Sequence, residues 1–373
     1  MRTILVTGSA GFIGKNLIVR LQELDNVAIK PFDKEDNIET LKKYLQESDF
    51  IFHLAGVNRP KNVEEFKKGN VGLTKILIKL LEEMDKKIPI VLTSSIQAEL
   101  DNPYGKSKKR AEDELIKYYN KNYTPIYIYR LPNVFGKWSR PNYNSVVSTF
   151  CYNISHNLDI TISNPTQELE LVYIDDVINE FVSLLNREEK DLQKHFYNIK
   201  RTFRVTLGEL ADKIYKIKEI KKTLIIPDLS DIFMKYLHAT YLSYLEKDDF
   251  SYEMDLKEDS RGDFIELIKS ESFGQVSISR SKKGVIRGNH YHNTKNEKFF
   301  VIQGKALIKL RNILNDIIIS YYVSDKKIEI VDIPPGYTHS IENLTDGNGE
   351  MILLIWANEI FNPKNPDTYY CEV

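Results

Sequence analysis

Two cysteines in 373 residues, Cys151 and Cys371, are too few for a disulfide framework and lack metal-ligand spacing. No apolar run is long enough for a signal peptide or a membrane span, so the expected compartment is the cytoplasm. Neither sign of charge dominates, since 52 basic and 53 acidic residues leave a formal charge of −1. A protein that tracks a phosphate backbone needs a basic excess, so nucleic acid is not an expected partner. The cluster Lys106, Lys108, Lys109 and Arg110 reads as a solvated helix face. There is no internal repeat and no low-complexity tract. The length suits two or three domains, each large enough for its own core.

Histidine is also scarce, with seven in the chain, yet three of them sit at ligand spacing. Gly284 leads to His290, His292, Glu297 and Gly304, answered by Pro334, Gly336, His339 and Asn343. Neutral imidazoles and a carboxylate suit a borderline divalent metal such as zinc, and an H-x-H pair on a strand turns both rings to one face. The flanks supply strands: Phe299 to Ile302 before Gly304, and Ile328 to Ile333 before Pro334-Pro335-Gly336, are β-branched or aromatic runs ended by turn residues. These segments resemble the two cupin motifs, with both ligand sets. Ile328 stands where the second motif has its leading glycine, which costs a turn residue but no ligand.

The other end carries an independent signal. Arg2 to Thr7 reads as a short buried strand, followed by Gly8-x-x-Gly11-x-x-Gly14 and an apolar-periodic helix that contains Phe12, Ile13, Leu17, Ile18 and Leu21. Glycines there let the backbone approach a pyrophosphate, which the helix N-terminus stabilises. The segments Phe50 to Gly56, with Leu54, Ala55 and Gly56 at its end, and Val91 to Ser95 follow in order. Tyr104 and Lys108 then share a helix face, where the ammonium favours the phenolate and fits Tyr104 as a general acid or base. A serine ending the preceding strand can hold the substrate oxygen. These residues look like an extended short-chain dehydrogenase/reductase, a branch that acts largely on nucleotide sugars. Arg130 to Gly136 and Leu171 to Val177 match later signatures of that branch, so the resemblance covers roughly residues 1 to 245. It implies substrate contact at Asn133, which on the bare sequence reads equally as a turn former. The serine position matches Ser95 best, with Ser94 adjacent.

A further resemblance narrows the chemistry of the second half. Arg261 to Glu266, Phe273 to Ser279 and Gly284 to Tyr291, including Arg287, are similar to the dTDP-4-keto-6-deoxyhexose 3,5-epimerases, which remove a proton beside a ketone. The resemblance implies that Arg287 contacts substrate and that Lys298 falls near a lysine that stabilises the enolate. His292 and Glu297 complete a metal set which those epimerases lack, so His290 is expected as a ligand and the base is left open. A bound cation can polarise the ketone or serve as a structural staple.

A reductase followed by a metal cupin is the pattern of the bifunctional 3-epimerase/4-reductases of capsular polysaccharide synthesis. That resemblance implies a UDP-2-acetamido-2,6-dideoxy-4-ketohexose, a UDP-linked 4-keto-6-deoxyhexosamine, as substrate. The cupin would invert C3 and the reductase would reduce C4 with NADPH, giving UDP-2-acetamido-2,6-dideoxy-L-talose on the route to UDP-N-acetyl-L-fucosamine. A homodimer or higher homo-oligomer is expected. Locally, Asp33 after the strand Val27 to Phe32 can accept from a ribose 2′-hydroxyl, which favours NAD, whereas Lys34 beside it can meet a 2′-phosphate. The expected architecture is an α/β doubly wound parallel sheet at 1–247 followed by an all-β cupin jelly roll at 252–373. The competing reading is a single-function 4-ketosugar reductase whose cupin is a dimerisation module.

Overall fold

The computed structural model describes residues 1–60, 62–187 and 193–373. The chain divides into two compact units that do not follow it linearly: Met1–Ile214 with Tyr236–Leu245, and Tyr215–Lys235 with Glu246–Val373.

In the first unit, apolar runs covered on both faces form a parallel sheet. Ile4, Leu5 and Val6 in Arg2–Thr7, and Phe50, Ile51 and Phe52 in Phe50–His53, are all buried, as expected when helices lie on both sides. The strand order is Val27–Phe32, Arg2–Thr7, Phe50–His53, Ile90–Ser95, Ile126–Leu131 and Phe196–Tyr197, with every pair parallel. The order reverses between Arg2–Thr7 and Phe50–His53, which opens a ligand crevice at their carboxyl ends. Helices start where sequence chemistry caps them. Asn37 Oδ1 accepts from Thr40 N ahead of Ile38–Glu47, and Asn102 Oδ1 accepts from Gly105 N ahead of Pro103–Asn122, which has proline in its first turn. A small sheet of Asn133–Phe135, Glu168–Tyr173 and Phe203–Thr206 completes the unit.

The second unit is a sandwich of two antiparallel sheets. One has the order Leu256–Asp259, Gly262–Ser270, Gly274–Ser281, Met351–Ala357, Glu297–Gln303 and Ile330–Ile333; the other has Ile318–Ser324, Lys305–Asn312, Tyr337–Asn343, Ile286–Tyr291 and Tyr369–Tyr370. Their inner faces interdigitate through Phe299, Val301, Met351 and Leu353 from one sheet and Ile308, Leu310 and Ile341 from the other. The architecture is the expected parallel α/β sheet followed by an all-β cupin. The segment Tyr215–Lys235 joins this unit by a backbone ladder, with Lys269 N donating to Leu224 O and Ile226 N to Lys269 O, each at 2.8 Å.

One irregularity positions the second site. Arg287 pairs with the core residue Ile341, so its side chain shares the inner face of the sheet. Simple alternation would then turn His290 outward. A bulge between Gly288 and His290, with Gly288 at φ +100° and Asn289 at φ +57°, inserts one residue and sets His290 opposite His339.

Candidate active sites

At the crevice of the parallel sheet, glycine is required by close approach. Gly8 has φ +70° and a Cβ there would stand 2.7 Å from the Ala55 backbone; a Cβ on Gly14 would stand 2.2 Å from Gly8 O. Gly11 N donates to Gly8 O at 3.0 Å, and Gly11 caps the helix Phe12–Gln22, so Phe12, Ile13 and Gly14 form its opening turn. Leu54 N and Ala55 N hydrogen-bond Thr7, and Gly56 follows as the next rim residue. The result is a backbone cradle facing a helix N-terminus, suited to the pyrophosphate of a dinucleotide. Asp33 ends this edge, accepting from Ala10 N at 2.7 Å and Lys34 N at 2.8 Å.

The structure brings Tyr104, Ser95 and Lys108 together beside that cradle. Ser95 lies close enough to the Tyr104 phenol to favour its ionised form, and Lys108 Nζ lies 6.0 Å from the Tyr104 ring. Lys108 donates to Thr93 O at 3.0 Å and is buried; burial pulls its pKa down to about 8 against the opposing pull of Glu112. Burial raises the Tyr104 phenol, while Ser95 works against that rise. Ser94 points elsewhere: it is buried and donates to Glu112 Oε1 at 2.6 Å, a carboxylate that also accepts from Arg130 Nε and Nη2. Of the two adjacent serines, Ser95 meets the tyrosine and Ser94 builds the support. Asn133 is exposed on its short strand and donates to Glu170 O at 3.4 Å.

In the sandwich, His290, His292, Glu297 and His339 converge, each offering one ligand atom, all within 4.8 Å of one another. Nε2 of His292 and of His339 each stand 3.5 Å from Glu297 Oε2. A tetrahedral ion with bonds near 2.0–2.1 Å sets its ligand atoms about 3.3 Å apart, so these two spacings fit. Burial lowers the His339 pKa to about 3, and burial followed by the neighbouring His292 lowers that of His290. Burial pushes Glu297 up, but the surrounding His292, His339 and Lys295 outweigh it and leave the carboxyl below its usual range. Neutral imidazoles and a carboxylate are the states a cation needs. His292 Nε2 is buried with no hydrogen-bond partner, a lone pair aimed into the cluster.

Lys298 does not reach this site. Glu297 faces inward, so alternation turns Lys298 to the opposite side of the sheet, where it ion-pairs with Asp332. The lysine at the cluster is Lys295: it is buried, with Nζ 3.8 Å from Glu297 Oε1. Lys295 and Glu297 both face a cavity of about 310 Å³ that Phe264, Gln275 and Phe361 also line. Lys295 was legible only as the nearest cation preceding Glu297. Arg287 lies on the inner face, donating to Ser281 Oγ at 3.0 Å and standing 3.6 Å from Asp259.

The comparisons with known proteins agree with both halves. Residues 4–199 match the model of the NAD dependent epimerase/dehydratase family, and residues 257–369 match the polysaccharide biosynthesis C-terminal domain. The chain belongs to the NAD dependent epimerase/dehydratase family, whose cofactor is a nicotinamide dinucleotide, and its cradle fits that group. Among its relatives, the UDP-2-acetamido-2,6-beta-L-arabino-hexul-4-ose reductase of Pseudomonas aeruginosa is 44% identical over 370 residues, 99% of this chain and 98% of that protein. The crystal structure of the capsular polysaccharide assembling protein CapF from Staphylococcus aureus superposes with a TM-score of 0.92 at 45% identity, over 99% of this chain and 100% of that one. A CapF structure with the inhibitor 3-isopropenyl-tropolone gives 0.87 at 41% identity over the full length of both.

The cradle generates a direct test. Gly14→Ala places a methyl group against Gly8 O, so the loop must open. Binding of a nicotinamide dinucleotide, measured by quenching of protein fluorescence, is expected to weaken at least tenfold, about 1.4 kcal/mol. Wild-type affinity in that variant would show that the turn has room the geometry denies.

Proposed function

We propose that the chain is a bifunctional nucleotide-sugar enzyme of capsular polysaccharide synthesis. Its cupin half epimerises C3 of a UDP-2-acetamido-2,6-dideoxy-4-ketohexose, and its reductase half then reduces C4 to give UDP-2-acetamido-2,6-dideoxy-L-talose, toward UDP-N-acetyl-L-fucosamine. The observation that carries this reading is the occurrence in one chain of a Tyr104, Ser95 and Lys108 proton-transfer set and a His290, His292, Glu297 and His339 cluster beside a cavity. A purely structural cupin has no need of a buried lysine facing that cavity. The close relatives whose names describe a reductase of a UDP-linked hexul-4-ose and a capsule-assembling protein support the substrate class.

In the reductase half, NADPH when bound supplies hydride to C4. Gly8, Gly11, Phe12, Ile13 and Gly14 hold its pyrophosphate, and Leu54, Ala55 and Gly56 line the cofactor's path. Tyr104 gives its phenolic proton to the C4 oxygen, Ser95 holds that oxygen, and the Lys108 ammonium stabilises the phenolate left behind. Ser94 keeps Glu112 in place, and Asn133 orients the sugar. NADPH rather than NADH is proposed because the Asp33 carboxylate already accepts from Ala10 N and Lys34 N, while the neighbouring Lys34 side chain, with Nζ 3.5 Å from Glu35, is 84% exposed.

In the cupin half, a bound Zn2+ would polarise the C4 ketone and acidify the C3 proton, which would leave to solvent and return from solvent on the opposite face. His290, His292, Glu297 and His339 hold it. Lys295 supplies a positive charge to the enolate oxygen, and Arg287 holds the substrate from the inner face. The strand Ile318–Ser324, an edge that exposes Ile318, Ile319, Tyr321 and Tyr322, supports a homodimer. No helix among the described residues is long and apolar enough to cross a membrane, which is compatible with work in the cytoplasm on a soluble nucleotide sugar.

The deciding experiment follows the full chain with the 4-keto sugar in deuterated water by NMR. Wild type without nucleotide should place deuterium at C3, and with NADPH it should yield the C4 alcohol faster than with NADH. Tyr104→Phe should lose about 10²-fold or more of nucleotide oxidation while keeping C3 exchange. Wild type that reduces the ketone but never exchanges C3 would leave the cupin as a dimerisation module.

The pH profile follows from Lys108. Its ammonium is present below about pH 8 and lost above it, while Tyr104 stays protonated throughout that range. For the free enzyme, kcat/KM of reduction should therefore be level below about pH 8 and fall as pH rises past it. A profile that instead rises through this range would place the essential group elsewhere.

A further inference from the structure

The carboxy-terminal segment crosses the ligand-bearing strands as a strap. Tyr369 and Tyr370 pair antiparallel with Tyr291 and His290, and Cys371 N donates to Asn289 O at 3.0 Å. Thr338, beside His339, donates through Oγ1 to Cys371 O, and Arg311 Nη2 donates to Glu372 O at 2.6 Å. At its head, Asp367 acts twice. Its carbonyl oxygen lies 2.5 Å from His292 Nδ1. Its carboxylate accepts from the backbone N–H of Asn293, Thr294 and Lys295 and from Thr294 Oγ1, at 2.8–2.9 Å for the shortest of each. Those three residues are most of the loop between the ligands His292 and Glu297.

The physical consequence concerns orientation. A carbonyl oxygen only accepts, so Nδ1 of His292 must carry the proton, which leaves Nε2 as a bare lone pair. Nε2 is the atom that is buried, without a partner and 3.5 Å from Glu297 Oε2. Three successive N–H groups converging on one carboxylate also lock the loop, and with it the separation of His292 from Glu297 and the burial of Lys295. A single residue therefore fixes the tautomer and ring direction of one ligand and the span to the next. Partners of this kind set metal affinity as well as geometry.

We infer that Asp367 is a positioning residue for the metal centre, and that the carboxy-terminal strap completes a site whose ligands all lie earlier in the chain. This inference rests on the proposed metal-binding role of the His290, His292, Glu297 and His339 cluster. Loss of the Asp367 side chain frees the loop and the strap head, so zinc affinity drops while the reductase half is untouched. Asp367→Asn keeps one acceptor oxygen for the Thr294 and Lys295 amides but turns its NH2 toward Asn293 N–H, so its effect is intermediate.

The test uses the full chain, with zinc affinity measured by chelator competition and the visible spectrum of the cobalt-loaded protein as a readout of ligand geometry. Expected is a loss of affinity of about 10- to 100-fold in Asp367→Ala, a smaller loss in Asp367→Asn, and shifted cobalt bands in both. NADPH binding by fluorescence should match wild type. Wild-type affinity and an unaltered cobalt spectrum in folded Asp367→Ala would overturn the inference; where that variant does not fold, the same result in Asp367→Asn overturns it. Wild type that takes up neither metal would instead refute the metal reading on which the inference rests.

Discussion

A carboxylate and three imidazoles gathered inside an apolar sandwich form the constraint on which the cupin half depends. Buried alone, Glu297 would cost several kcal/mol or take up a proton. It keeps its charge because His292, His339 and Lys295 surround it. That convergence requires an interior position for both Arg287 and His290, which one regular strand cannot give. The Gly288–Asn289 bulge supplies the missing residue, and glycine is needed there because a Cβ on Gly288 would stand 2.5 Å from His339 O. The polar cluster thus dictates a backbone irregularity, and the irregularity dictates a glycine.

The reductase half solves a similar problem with a different residue. Lys108 is buried against the Thr93 carbonyl, and Gly56 lies so close that a Cβ there would stand 3.0 Å from Nζ. A larger residue at Gly56 would press on the buried Lys108 ammonium. Glu112, the anion whose charge acts on Lys108, is already satisfied by Ser94 and Arg130. Its carboxylate favours the lysine's charge without forming the ion pair that would draw Nζ away from Tyr104.

Much of this was legible in the sequence because the spacing rules are short-range. Gly8, Gly11 and Gly14, the four-residue step from Tyr104 to Lys108, and His290-x-His292 each depend on a single turn or strand. What the sequence hid depends on parity or on distant partners. Lys298 looked suitable until Glu297 was known to face inward, which places its neighbour outside. Ser94 and Ser95 differ by one residue on a strand, so neighbours face opposite ways, and only the position of Tyr104 and Glu112 assigns their partners. The bulge and the Asp367 strap join residues far apart in the chain, as does the ladder between Leu224, Ile226 and Lys269. No local pattern announces them.

The two environments also set the direction of the proposed chemistry. Removing a proton from C3 requires the neighbouring ketone, so epimerisation must precede reduction, and reduction then fixes the new centre. A tyrosine poised as a phenolate would favour the reverse, oxidative step. In this chain burial raises the phenol while Lys108 stays cationic near neutral pH, so the resting pair holds the proton that a reduced ketone must receive. The cupin's demand is the opposite: it must stabilise negative charge on the same oxygen without delivering a proton to it for good. The proposed cation site with its neighbouring lysine meets that demand, and a tyrosine acid does not. Two unlike sites, each matched to one charge state of a single oxygen, are therefore a physical reason for one chain to carry two folds.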